Sequence, residues 1–160
     1  MIIISDTSPL CYLILIDCID VLPKLYGQVI VTKTVYQELT AFGTPEKVKK
    51  WCQNLLEWLI IHSIDDNYDL ELEQLDAGEK SAIILAEQIS ADLIILDEKF
   101  ARKIAKSRGL NIIGLLGILY DACLAKLIKP SKFQELQQTN FFVSPQLIED
   151  ILNKIDHANV

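Results

Sequence analysis

The segment Leu75–Leu110, LDAGEKSAIILAEQISADLIILDEKFARKIAKSRGL, decides how the chain folds. It reads as helix, strand, helix. In AGEKSAIILAEQ, Ala82, Ile83 and Ala86 follow Glu79 at i+3, i+4 and i+7, so a small apolar face carries one carboxylate inward. Glu87 lies on a more polar side and reads as solvated. ADLIILD is a short apolar run of the kind that forms a strand covered on both faces. EKFARKIAKSRG is an amphipathic helix closed by Gly109. There Phe100 and Ile104 turn to the core, and Lys99, Arg102, Lys103 and Lys106 share a stripe.

The same alternation extends outward. MIIIS reads as a strand and SPLCYLILI as a helix with Pro9 near its first turn. GQVIVT is a second strand, followed by the helix KTVYQELTAF, which is expected to run to Gly43. On that helix Val35, Leu39 and Phe42 share a face, and Glu38 borders it. Pro45 opens a helix through Trp51 and Leu55, WLIIHS is a third apolar run, and LNIIG a short strand. Helices follow Gly114, Ser131 and Ser144, the last with Leu147, Ile148, Ile151, Leu152 and Ile155 at helical spacing. The stretch from Asp65 to Asp76 reads as a solvated acidic loop. Short apolar strands alternating with amphipathic helices imply an α/β fold, a three-layer α/β/α sandwich with a mainly parallel sheet. One domain spanning residues 1–160 is expected. Its working crevice should lie at the carboxyl ends of the strands.

Composition narrows the function. Of 160 residues, 51% are hydrophobic and 23% charged, with a net charge of −7, which disfavours coating of nucleic acid or anionic membrane by charge alone. A local basic stripe remains compatible with that total. The four cysteines, Cys11, Cys18, Cys52 and Cys123, form no C-x-x-C pair, and His62 and His157 stand alone, so zinc spacing is absent. The cysteines read as buried thiols of a reducing cytosol. No run reaches the ~20 apolar residues of a membrane span, and Asp6 interrupts the N-terminal run. A cytoplasmic location without membrane attachment is expected.

Asp6 and Asp97 each end a strand and project to the same sheet edge if those strands are parallel. Each alone reads as an N-cap of the following helix. Glu38 and Glu79, on or beside packing faces, change the balance, because a carboxylate there is costly unless paired or liganded. Four carboxylates with no His or Cys suit Mg²⁺ or Mn²⁺.

These motifs resemble the PIN domain, the metal-dependent ribonuclease fold of VapC-type toxins. SDTSPL resembles its first-strand Asp followed by Ser/Thr, VYQEL its glutamate helix, and Leu75–Leu110 its second acidic helix, strand, terminal Asp and basic helix. NIIGLLGILYDACLAKLI matches a PIN-like branch long filed as a domain of unknown function, whose apolar helix opens with G-x-x-G. The resemblance implies that Asp6, Glu38, Glu79 and Asp97 hold one or two Mg²⁺ or Mn²⁺ ions and catalyse hydrolysis of RNA. It implies a toxin–antitoxin pair with a small antitoxin protein; the last helix reads first as a packing element, with the homodimer common in this family as its alternative role. Thr7 and Ser8 support a ligand or the phosphate, or only start the helix. Lys99, Arg102, Lys103 and Lys106 contact RNA phosphates or form an ordinary solvated face. Glu79 stands where many members have Asp, and Ile95 where many have Thr or Ser. The alternative is a catalytically inactive PIN-like module that binds RNA or protein.

Other chemistries fit less well. A haloacid-dehalogenase-type phosphatase needs a second Asp two residues after the first, where this chain has Ser8. A receiver domain needs an acidic pair near the first strand, and a dinucleotide site needs G-x-G-x-x-G after it.

Overall fold

Runs of Ile, Val and Leu without polar alternation satisfy their backbone as parallel strands covered on both faces. Among the described residues five form: β1 Ile3–Ser5, β2 Val29–Thr32, β3 Leu59–His62, β4 Leu93–Ile95 and β5 Ile112–Ile113. Every pairing is parallel, in the order β3-β2-β1-β4-β5. The structure, a computed structural model, describes residues 1–65 and 68–159. Asp66 and Asn67 of the acidic stretch lie outside the described residues.

The helices are α1 Thr7–Leu15, α2 Val21–Tyr26, α3 Lys33–Leu39, α4 Glu46–Cys52, α5 Ala77–Gln88, α6 Lys99–Ser107, α7 Leu115–Leu124, α8 Lys132–Gln137 and α9 Pro145–Ala158. Strand alternation sorts the core into two layers. Ile3, Val29, Val31 and Ile95 pack toward α1, α2, α7, α8 and α9, with Phe133 fully buried among them. Ile4, Ile94 and Leu96 pack toward α5 and α6 through Ile83, Leu85, Ala101 and Ile104. The result is a three-layer α/β/α sandwich. From β1 the chain winds to β2 and β3 on one side and to β4 and β5 on the other. The reversal falls between β1 and β4, which opens a crevice at their carboxyl ends.

Several local readings change. Helix α2 went unanticipated because Pro23 sits inside it, yet Val21 and Leu22 are buried and Gly27, at φ 79°, ends it. Helix α3 stops at Leu39 rather than Phe42. The Thr44 hydroxyl donates to the Glu38 carbonyl (2.9 Å), Gly43 takes φ 91°, and Phe42 is left fully exposed. Phe100, in the first turn of α6, is 42% exposed and does not join Ile104 in the core. Glu87 and the acidic stretch are not simply solvated. Arg108 donates to Asp69 (2.9 Å), Glu71 (3.0 Å) and Glu87 (2.7 Å), tying the segment before α5 to the end of α6. The four cysteines are free thiols, and three of them are buried. Among the described residues no helix is long and apolar enough to cross a membrane.

A buried hydroxyl pair links the end of β2 to α5. The Thr32 Oγ1 accepts from the Val35 N–H (3.0 Å), capping α3, and lies 2.7 Å from the Ser81 Oγ on α5. Thr32→Val removes both contacts, while Ser81 still donates to the Gly78 carbonyl (2.8 Å), so urea unfolding should show a loss of about 1–2 kcal/mol and Thr32→Ser should stay near wild type.

Candidate metal centre

The two strand-end aspartates do not use their carboxylates as caps of the helices that follow them. Asp6 occupies the N-cap position of α1, but its side chain makes no cap bond to that helix. Its backbone N–H donates to the Ile95 carbonyl (3.0 Å), locking β1 to β4, and its Oδ1 is buried without a hydrogen-bond partner. At the end of β4, Glu98 takes over the capping of α6, accepting from the N–H groups of Phe100 (3.1 Å) and Ala101 (2.8 Å). Asp97 is thereby released to accept from the Leu115 N–H at the start of α7 (2.8 Å), with its Oδ2 buried and unpartnered.

The glutamates arrive from the helices. Glu38, on the last turn of α3, accepts from the Thr7 hydroxyl (3.3 Å) and faces the Gly78 N–H. A Cβ on Gly78 would fall inside the Glu38 carboxylate, so glycine is required for this approach. Glu79 and Asp76 form a reciprocal capping box at the start of α5. Asp76 accepts from the Glu79 N–H (2.9 Å), and Glu79 accepts from the Asp76 N–H (3.4 Å). Carboxylate oxygens of Asp6, Glu38 and Asp76 lie within 4.8 Å of one another and could hold a metal ion.

All four carboxylates singled out in the sequence line one cavity of about 640 Å³, together with Thr7, Ser8, Cys11, Tyr12, Asp76 and the segment Asn140–Phe142. Thr7 supports Glu38, and Ser8 is exposed on the cavity wall. Asp76 is the residue the sequence reading missed, placed in a solvated loop when its spacing to Glu79 already spelled a capping box. Of the basic stripe, Arg102 alone approaches. It is half-buried, and its charge acts on Asp97 across Gly114, where a Cβ would lie 2.6 Å from the Arg102 Nη1. Lys99, Lys103 and Lys106 are exposed on α6 and line no cavity with the carboxylates. Ile95 is fully buried in the core, so that position brings no polar atom to the cavity.

Burial dominates the electrostatics. It raises Asp6 to about 7 from the usual 3.8, with the Thr7 N–H opposing and Asp76, Glu38 and Asp97 adding repulsion. Burial and then Asp76 raise Glu79 to about 8, and the same two causes raise Glu38. Asp97 is raised by burial against the pull of the Leu115 N–H and Arg102. Burial also lifts the Cys11 thiol to about 11, so it stays protonated and is neither nucleophile nor soft ligand near neutrality. Oxygen-only donors, mutual repulsion and two orphaned carboxylate oxygens fit a hard divalent cation.

A family model described as a PIN domain matches residues 2–157 of the chain. No curated protein matches it.

Two outcomes follow from the geometry. Gly78→Ala should push Glu38 out of the cavity and weaken Mn²⁺ binding about tenfold or more in calorimetric titration, with the circular dichroism spectrum unchanged. The raised carboxyl groups set the second. In the metal-free fold Asp6 and Glu79 keep protons that the unfolded chain has released, so stability falls as pH rises from about 4 through 7 to 8. Thermal unfolding without metal should therefore occur at a higher temperature at pH 5 than at pH 8, and Mn²⁺ should stabilise the protein more at pH 8.

Proposed function

Since the chain belongs to the PIN domain family, we propose that it is a Mg²⁺- or Mn²⁺-dependent endoribonuclease hydrolysing RNA phosphodiester bonds. In this reading it is the toxin of a toxin–antitoxin pair, acts in the cytoplasm, forms a homodimer and is inhibited by a small antitoxin protein. One observation carries the catalytic part. Asp6, Glu38, Glu79 and Asp97 converge from four elements on one cavity, and two of their oxygens are buried without partners.

Asp6 and Asp97 are the central ligands, because adjacent parallel strands hold them with little freedom. Glu38 and Glu79 complete the set, and Asp76 adds an oxygen beside Asp6 and Glu38. When bound, the ion supplies a nucleophile from water at neutral pH and neutralises charge on the phosphoryl oxygens and the leaving oxygen. Thr7 fixes the Glu38 carboxylate, leaving its second oxygen to orient the attacking water. Arg102, next to Asp97, offers a fixed cation to a phosphate entering past α7. Without a cation the cavity would repel that phosphate.

The test is cleavage of an RNA panel by purified protein. Wild type should cut in Mn²⁺ and stop on chelation. Asp6→Asn and Asp97→Asn should each lose about a hundredfold or more. Equal degradation by wild type and the double variant, or none by wild type in either metal, would sink the reading. Inhibition by a co-expressed small protein encoded next to the chain tests the toxin role separately.

A further inference from the structure

We propose that Phe142 is a stacking platform for a nucleobase of the strand that enters the carboxylate cavity, and that Arg102 grips a phosphate of the same strand. This rests on reading the carboxylate cavity as a phosphodiester site.

Phe142 lies between α8 and α9 and is 99% exposed. Its neighbours are anchored. The Tyr12 hydroxyl donates to the Asn140 Oδ1 (2.7 Å), and the Phe141 ring packs edge-on against Tyr12, with centroids 5.1 Å apart. The Phe141 N–H donates to the Thr139 hydroxyl (3.2 Å). The segment is thus fixed, and the Phe142 ring is left bare beside the acids.

Phe141 and Phe142 line the carboxylate cavity on one side and a second groove, of about 680 Å³, on the other. Asp97 is also common to both, so a strand can pass from one to the other around these residues. Among the described residues no Lys, Arg or His lines the first cavity, whereas Arg102 lines the groove. Arg102 makes no salt bridge among the described residues. Ring and cation therefore stand on the same exit from the acids. A single-stranded nucleotide supplies a flat π face and an anion together, and stacking accepts every base. A duplex keeps its bases against one another and cannot present one to Phe142. A purely apolar protein partner would cover the groove but leave the guanidinium desolvated and unpaired.

Phe142 is almost fully solvated, so substitution leaves folding intact. The assay is anisotropy of a labelled oligoribonucleotide, with Ca²⁺ in place of Mn²⁺ to slow cleavage. Phe142→Ala should weaken binding of single-stranded RNA about tenfold and leave the weaker duplex binding unchanged. Phe142→Trp should retain affinity, and its emission should be quenched by the oligonucleotide but not by an abasic strand of equal length. The proposal is overturned if Phe142→Ala binds single strands as wild type does, or if wild type binds abasic and base-bearing strands alike. It is equally overturned if the alanine variant keeps RNA affinity but dissociates an oligomer on gel filtration, which would assign the surface to a protein contact. Cleavage that ignores Phe142 defeats this proposal and leaves the nuclease reading standing. Stacking by a protein that cuts nothing does the reverse.

Discussion

The structure depends on the repulsion among carboxylates held at the reversal point of the sheet. Asp6 is only 5% exposed, and Glu38, Glu79, Asp76 and Asp97 surround the same cavity, with no basic side chain among the described residues lining it. At the buried Asp6 and Glu79 each added negative charge costs more than it would at the surface. A fold accepts that cost where a ligand of opposite charge offsets it. The two parallel strands β1 and β4 are what make the gathering unavoidable. Ser5 pairs with Ile95, so the residues that follow leave the sheet side by side, with no freedom to separate.

The second level of construction is a redistribution of helix capping. Each acid in a strand–helix turn could have been consumed by the next helix. Glu98 takes that duty from Asp97, Asp76 performs it for α5, and Thr32 does so for α3. Glycine does the complementary work. Gly78 lets Glu38 approach the start of α5, and Gly114 lets Arg102 and Asp97 share the start of α7. A methyl group at either point would collide with a charged side chain.

Much of this was legible in the residues, and the gaps have physical causes. The five strands announce themselves because buried parallel strands are continuous apolar runs, and Asp6 and Asp97 could be placed at one edge from strand direction alone. Helical phase sufficed to turn Glu79 inward. Phase failed at Phe42, since the helix ends three residues earlier where Thr44 closes on Glu38. Proline concealed α2, although two buried residues suffice to dock so short a helix. Asp76 was hidden by its acidic surroundings, which look solvated until Arg108 is seen gathering Asp69, Glu71 and Glu87. The segment Asn140–Phe142 is more than forty residues from the last acid in sequence, and no local pattern brings it to the cavity.

Helices α1, α5 and α7 begin at Thr7, Ala77 and Leu115, all next to the acids. The peptide dipoles of each sum to roughly half a positive charge at that end. Their combined field cannot titrate, exchange or diffuse away. It is present with or without an ion, giving the carboxylates a permanent partial counter-charge built from backbone. Such a cavity need not rebuild itself between one ion and the next. A cation held by these carboxylates would be a replaceable part in a frame whose polarity is set by the direction of its helices.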